Sequence, residues 1–404
     1  MRKKRICCFL VIILISFSFV CFVGVKDNRL KSENREVFTS LSIEDDLNKA
    51  TSDGLNFFDF SDLDEALNRL ENAGSFGAKG FAEKVKALIS GEYTFSFKDL
   101  LSIFTSTLIS DFKSILPLLA SIFALAVLSN IVGQFKTRGN KNLNSVVHFV
   151  CYSAVIIIVC AGVTNLVNVT QGAINSMRSQ MEVVFPILLT LMASVGATVS
   201  VGIYQPVLAM LSGMIVNIFS FVVLPIFLIS FVVSVVGNLS SNVKLNKFSS
   251  LLNDVFKWVL GAVFTVFTGV MTVKGISAGS FDSVSIRTTK FALKTYVPLV
   301  GGYLSDGFNL IMASSVLIKN AVGTAGLLLI FLSILSPIVT ILVFKWSLHL
   351  LSAVLEPLMD DKISNFLFSV SKSINMLLAL IISAGLMYLI SSGLLMTSGN
   401  VYWG

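Results

Sequence analysis

Charged side chains are scarce in this chain of 404 residues. They make up 13% of the sequence, whereas apolar side chains make up 54% and include 33 phenylalanines. A soluble domain carries about 25% charged residues. The charges present are too few to cover a surface in water, which excludes a soluble enzyme of this length and indicates a membrane protein.

The common signatures of catalysis are also missing. The sequence contains no GxxxxGK[ST] loop to hold nucleotide phosphates, and no HExxH or GxSxG motif. Its two histidines, His148 and His349, lie 201 residues apart and have no matching carboxylate motif for a metal site. We therefore predict that the protein is not an enzyme and has no catalytic residue, no cofactor and no metal site.

Cysteine is rare, and its positions exclude a disulfide-stapled head or a zinc module. Three of the five cysteines lie in the first 25 residues, and the other two, Cys151 and Cys160, share one apolar segment. No CxxC pair and no zinc-binding Cys/His spacing occurs. Cys151 and Cys160 are expected to be small side chains at helix contacts.

The few charges divide the chain into three parts. Residues 1–25 carry four cations and no acid, residues 26–113 carry 11 cations and 16 acids, and residues 114–404 carry 15 cations and seven acids. We predict an export segment at 1–25, an acidic extracytoplasmic head at 26–113 and a membrane bundle at 114–404. Because the water-soluble part is acidic, nucleic acid is not an expected partner.

The export segment consists of Arg2–Arg5 and an uninterrupted apolar run from Ile6 to Val25. Cations followed by apolar residues are typical of a secretory signal. An uncleaved anchor helix and a lipidated Cys21 remain as alternatives, because the run is long enough to span and no clean cleavage site follows. All three interpretations place the head outside the cytoplasm.

The head is predicted to be helical after a polar arm at 26–60. Apolar residues recur at helical spacing over 61–74 and 81–91, and each of these segments ends at a glycine. Ser96 can cap a third helix with Leu100, Leu101, Phe104 and Leu108 on one face. Such short amphipathic helices are expected to pack on the membrane, on another copy of the chain or on a partner.

The membrane bundle is expected to begin near Ser114 with a first span of about 114–132. The loop that follows holds Lys136, Arg138 and Lys141 without an acid, which predicts a cytoplasmic position. The head before this span is then outside, in agreement with the export segment.

We predict about seven spans, with six to eight compatible with the pattern. The second is expected at 146–169, and two or three crossings in the uncharged stretch 183–243, which Pro206 and Pro225 divide into three pieces of marginal length. A short segment at 258–273 follows, which either crosses or dips and returns. After it comes a basic loop with Lys274, Arg287, Lys290 and Lys294 against Asp282, and then apolar segments at 296–318, 321–344, 346–359 and 374–396. The fold class is therefore an all-α polytopic membrane bundle with an export signal and a small helical head.

The candidate functional residues are Pro298, Gly301, Gly302 and Asp306, inside the segment 296–318. A carboxylate in an apolar segment costs several kcal/mol unless it is paired or hydrated. The proline and the glycine pair can break the helix before it, as occurs where backbone lines a cavity. Asp306 then faces a pore or a partner, paired with Lys294 or Lys319; the alternative is a surface helix with Asp306 in water.

Residues 287–330 read RTTKFALKTYVPLVGGYLSDGFNLIMASSVLIKNAVGTAGLLLI. This run resembles the stage III sporulation protein AE family of endospore-forming Firmicutes. The resemblance extends to VVFPILLTLMASVGATVSVGIYQPVLAML at 183–211, KWVLGAVFTVFTGVMTVKG at 257–275, LEPLMDDKI at 355–363 and GEYTFSFKDLL at 91–101. These segments occur in the expected order over most of the chain from about residue 60.

The resemblance implies a function in sporulation. Such proteins are made in the mother cell and lie in the outer forespore membrane, which would place this head in the intermembrane space. Their expected partners are the other proteins of the stage III sporulation A operon, including a secretion-type ATPase and ring-forming subunits, and indirectly a forespore membrane protein. The family supplies no agreed catalytic residues.

Three functional hypotheses follow. The first is a non-enzymatic membrane component of a secretion-like channel complex between mother cell and forespore, needed for forespore integrity and late forespore gene expression. The second is a stand-alone secondary transporter with a site near Asp306. The third is a structural assembly scaffold without a pore.

Overall fold

The computed structural model describes residues 97–134, 141–239, 245–296, 301–357 and 361–398. Nearly all of these residues are helical, and no strand occurs among them, which confirms the all-α fold class. In chain order the helices are α1 (Phe97–Gln134), α2 (Lys141–Ser194), α3 (Thr198–Ile218), α4 (Leu224–Leu239), α5 (Asn246–Tyr296), α6 (Gly301–Leu355), α7 (Asp361–Ser373) and α8 (Asn375–Thr397). The predicted export segment and most of the predicted head lie outside the described residues.

Six helical stretches in the described ranges are long and apolar enough to cross a membrane. They are Phe104–Ile131, Phe149–Ser194, Thr198–Asn238, Lys247–Gly275, Gly307–Leu355 and Ile363–Thr397. This number lies within the predicted range of six to eight, although the boundaries differ from those expected. The protein is therefore a multi-pass membrane protein.

Helix α1 joins two elements that were predicted separately. The helix expected after Ser96 and the span expected from Ser114 form one helix of 38 residues. The predicted boundary at residue 113 therefore falls inside a helix. The charged residues Asp111 and Lys113 occupy helical positions, and Pro117 lies inside the helix without ending it.

Within its described residues, 183–239, the uncharged stretch breaks at Gly196 and not at the two prolines. The Ala197 amide donates to the Met192 carbonyl at 3.0 Å and the Gly196 amide to the Ala193 carbonyl at 2.9 Å. This is the Schellman arrangement, which needs a left-handed residue, and Gly196 has a φ of +86°. The prediction of breaks at Pro206 and Pro225 was wrong.

The two prolines are accommodated within helices. Pro206 lies inside α3, and the π-helical turn Phe219–Val223, which joins α3 to α4, ends two residues before Pro225. A π turn is one of the local adjustments by which membrane helices absorb a proline. The chain from Thr198 to Asn238 is one candidate span.

The segments predicted as short around 258–273 and 296–359 are parts of long helices. Helix α5 has 51 residues and includes Lys274 and Arg287, which were assigned to a basic loop. Helix α6 has 55 residues and runs through the expected interruptions near 319 and 345. Both predictions were wrong because polar residues inside a helix were interpreted as loops.

Helix α6 lies at the centre of the bundle, in contact with α1, α2, α5, α7 and α8. It forms an antiparallel pair with α8, since Gly323 faces Met396 at one end and Ile334 faces Gly385 further along. The outer surface is strongly apolar, with Phe221, Trp258 and Trp346 all more than two-thirds exposed. Such a surface fits a lipid environment. Cys151 is buried and Cys160 is partly buried, as expected for helix-contact residues.

Candidate functional site

The sequence-predicted site cannot be assembled from the described side chains. Pro298 and the flanking residues 297–300 lie outside the described residues, and α6 begins directly afterwards at Gly301. Gly301, Gly302 and Asp306 belong to the first two turns of α6, but their side chains lie outside the described part. The role of these four residues stays a prediction.

A different charged cluster lies in the core, and its first member is Asp282. Asp282 comes from α5 and is 1% exposed. Its Oδ1 atom accepts hydrogen bonds from the backbone amides of Val199 and Ser200, at 3.1 and 3.2 Å. These amides belong to the first turn of α3, whose own N-cap residue Ala197 makes no side-chain cap. Asp282 therefore supplies from another helix the acceptor and the negative charge that a helix N-terminus favours.

The second member of the cluster is Lys319 on α6. Its side chain is fully buried, and its Nζ atom donates a hydrogen bond to the backbone carbonyl of Ser398. That carbonyl lies at the C-terminal end of α8, where a cation is favoured by the helix dipole. Asp282 is an electrostatic neighbour of Lys319. A buried lysine in a membrane protein is tolerated only with such partners.

Neutral groups close the cluster. The Ser398 hydroxyl donates to the Tyr204 hydroxyl at 3.1 Å, which ties α8 to α3. A Cβ atom at Gly275 would lie 2.8 Å from the Tyr204 hydroxyl oxygen, so glycine leaves room for it there. Four helices, α3, α5, α6 and α8, thus meet around Asp282, Lys319, Tyr204 and Ser398. We call these four residues the polar junction.

The sequence interpretation missed the polar junction for a specific reason. Asp282 was counted as one acid in a basic loop, and Lys319 was expected only as a candidate partner of Asp306. Hydropathy cannot show that residues 37 positions apart, on α5 and α6, share one buried environment. A usable signal was present: Lys319 is a lone cation in a long apolar run, and such residues are commonly buried against a partner.

Other polar contacts join the long helices away from the polar junction. The Gln180 side-chain amide donates to the Ser333 hydroxyl at 2.5 Å between α2 and α6, and both side chains are buried. The Thr340 hydroxyl donates to Asp111 Oδ2 at 2.8 Å between α6 and α1. Within the described ranges, no group of three or more His, Cys, Asp or Glu side chains could hold a metal ion.

Comparison with known proteins relates this bundle to a family. The family model described as stage III sporulation protein AE matches residues 80–399. The chain belongs to the stage III sporulation protein AE family. The stage III sporulation protein AE of Bacillus subtilis (strain 168) is 26% identical over 314 residues, which are 78% of this chain and 79% of that protein. No solved structure matches the chain.

The match to the stage III sporulation protein AE family covers every described helix. Residues 80–399 include α1 to α8 and all four residues of the polar junction. The sequence resemblance is thereby confirmed for the whole bundle. The first 79 residues, which hold the export segment and much of the predicted head, lie outside the matched range.

Proposed function

We propose that this sporulation membrane protein is a non-enzymatic core component of a secretion-like channel complex between mother cell and forespore. The observation that carries the proposal is that the family match spans the whole helical bundle, α1 to α8, and not one local motif. An ATPase partner would supply the energy, and ring-forming subunits would meet the acidic head in the intermembrane space. The complex would maintain forespore integrity and late forespore gene expression.

The packing of the bundle supports a subunit that works through its partners. The most deeply buried charges, Asp282 and Lys319, are engaged with helix ends. Helix α1 buries little of its surface within the chain, and Phe112, Leu116 and Leu128 are among its exposed side chains. Such a helix has apolar area available for lipid or for another membrane subunit.

Co-purification tests this proposal. An affinity-tagged chain solubilised from sporulating cells is expected to bring down the secretion-type ATPase and the ring-forming subunits of its operon. The same tag on an unrelated polytopic membrane protein, made at the same stage, is the control. Substrate uptake by vesicles that contain only the purified chain, with no partner recovered from cells, would favour a transporter instead.

The transporter hypothesis keeps one specific observation in its favour, the carboxylate of Asp306 after Pro298, Gly301 and Gly302 in an apolar segment. If Asp306 faces a pore, Asp306→Asn and Asp306→Leu should both abolish spore formation. Asp306→Leu should nevertheless reach equal or higher protein levels, because the membrane cost of a few kcal/mol for the carboxylate disappears. Protein level and spore counts are measured together, with Gly301→Leu as a second variant expected to fail by filling a close approach.

Normal spore formation by both Asp306 variants at normal protein levels would show that the carboxylate is hydrated surface. The transporter site near Asp306 would then be rejected. The channel-component proposal would remain open to the co-purification test, because it assigns no task to Asp306.

A further inference from the structure

We propose that the basic C-terminal end of α5 is a docking surface for the acidic head of the same chain. The surface belongs to residues 283–296, which follow Asp282 and which we call the outer segment of α5. Its partner is the head segment 61–74, for which the sequence predicts an amphipathic helix. Such a helix needs a surface to cover its apolar face, and the proposal assigns that surface to the chain itself.

The outer segment extends beyond the part of α5 that is suited to the membrane. The apolar stretch of α5 ends at Gly275, and the helix continues for another 21 residues to Tyr296, which is about 30 Å at 1.5 Å per residue. The outer segment contains three cations, Arg287, Lys290 and Lys294, and no acid. It is therefore a positively charged helix outside the candidate span.

The outer segment lies at the same end of the bundle as the head. The Thr340 hydroxyl of α6 donates to Asp111 of α1, and a Cβ atom at Gly162 would meet both Leu118 of α1 and Phe344 of α6. Helices α1 and α6 therefore run in the same direction. The head precedes α1, and α5 ends only four residues before α6 begins, so both lie at that end. In the predicted orientation this end is extracytoplasmic, where basic segments are disfavoured, so its cations point to an acidic partner.

The outer segment presents apolar and positively charged residues side by side. Val284 and Phe291 are 65% and 66% exposed, and Arg287, between them in the sequence, is exposed as well. Lys294 follows Arg287 by seven residues, or about two helical turns, and so occupies the same face of the helix. Large exposed apolar side chains outside a membrane span are typical of an interaction surface.

The head segment 61–74 has the complementary pattern at the same spacing. Leu63 and Leu70 are seven residues apart on its predicted apolar face, and Asp64 and Glu71 lie at the edge of that face. Both pairs repeat at about 10.5 Å along a helix, as do the apolar pair and the cation pair of the outer segment. The leucines can therefore cover the apolar pair while the two carboxylates meet the two cations.

The connection between the head segment and α1 is long enough for this contact. Residues 75–96 can span up to about 70 Å when extended. Helix α1 begins about 21 Å before Asp111, and α6 begins about 58 Å before Thr340, which lies beside it. The start of α1 and the far end of the outer segment are thus roughly 40 Å apart along the bundle axis, well within reach of the connection.

Chemical cross-linking of the full chain in membranes tests the contact. The five native cysteines are replaced by alanine, and single cysteines are introduced at Ala66 in the head and at the exposed Thr288 on α5. A short bifunctional maleimide joins them only when the two helices are close. A protease site inserted after Gly77 then shows whether the head fragment stays attached to the bundle. We expect a high yield of this internal product.

Reversal of either charge pair should lower the cross-link yield about tenfold, because like charges then face each other. The two variants are Arg287→Glu with Lys294→Glu on α5, and Asp64→Lys with Glu71→Lys in the head. Combining all four substitutions should restore most of the yield, since opposite charges meet again. Yields are compared at equal protein level in the membrane.

A matched control, Asp45→Lys with Asp46→Lys, makes the same charge change elsewhere in the head and should keep the yield. An equal loss in this control, an unchanged yield after either reversal, or no recovery in the combined variant would overturn the proposal. Absence of the internal product in the parent chain would overturn it too, as would cross-linked dimers in its place, because the head would then bind a second copy. The measurement needs no other sporulation protein, so its outcome is independent of the co-purification test.

Discussion

Gly385→Leu is expected to lower the melting temperature of the detergent-solubilised protein and its level in the membrane, whereas Gly393→Leu leaves both close to those of the unchanged chain. Both glycines lie in α8. A Cβ atom at Gly385 would overlap the Cδ1 atom of Ile334 and lie 3.1 Å from its Cγ1 atom, while nothing lies within 4 Å of a Cβ at Gly393. Overpacking of this kind costs about 1–3 kcal/mol.

The clash can also be relieved on α6, by removing the Cδ1 atom of Ile334. Gly385→Ala should be less harmful than Gly385→Leu, and Gly385→Ala combined with Ile334→Val should improve on Gly385→Ala alone, because valine lacks the Cδ1 atom. Thermal denaturation in one detergent measures all of these variants. Equal melting temperatures for Gly385→Leu and Gly393→Leu would contradict the close approach of α6 and α8.

Substitutions at Gly196 are expected to lower the stability of the protein by a graded amount: least for Gly196→Asn, more for Gly196→Ala and most for Gly196→Val. The φ of +86° lies in the left-handed region, where an ordinary L-residue costs about 1–2 kcal/mol and a β-branched one more. Asparagine tolerates this region best among the three. The nearest atom to an added Cβ, Ile286 Cγ1, is 3.4 Å away, so the loss arises from backbone strain and not from a clash.

Gly202 provides the matched control for this series. It lies inside α3, and nothing lies within 4 Å of an added Cβ. Gly202→Ala should be neutral or slightly stabilising, because glycine inside a helix costs roughly 0.5–1 kcal/mol relative to alanine. Protein level and thermal denaturation are the measurements. A Gly196→Val protein as stable as Gly202→Ala would place the break between α2 and α3 elsewhere.

The composition was sufficient to predict the class of fold. With so few charges the chain had to be a membrane bundle, and backbone groups in lipid must satisfy their hydrogen bonds internally, which favours helices. The third helix of the head was expected to begin after Ser96, and α1 begins at Phe97. Such local signals act over a few residues, so they are visible in sequence.

The helix breaks and the polar junction were not predictable in the same way. Pro206 and Pro225 suggested interruptions, but membrane helices accommodate proline with the help of neighbouring groups. The helix that follows the break at Gly196 is capped by Asp282, from more than 80 residues further along the chain. No short window of sequence contains both Gly196 and Asp282, and no hydropathy pattern shows that Lys319 reaches Ser398.

The remote cap has a consequence for the way the chain is made. Synthesis runs from the N-terminus, so the first amides of α3 enter the membrane well before Asp282 exists. Lys319 in turn precedes its acceptor Ser398 by 79 residues. Lys319 must therefore be inserted before its acceptor is available, and its burial against the Ser398 carbonyl has to follow the emergence of α8 from the ribosome.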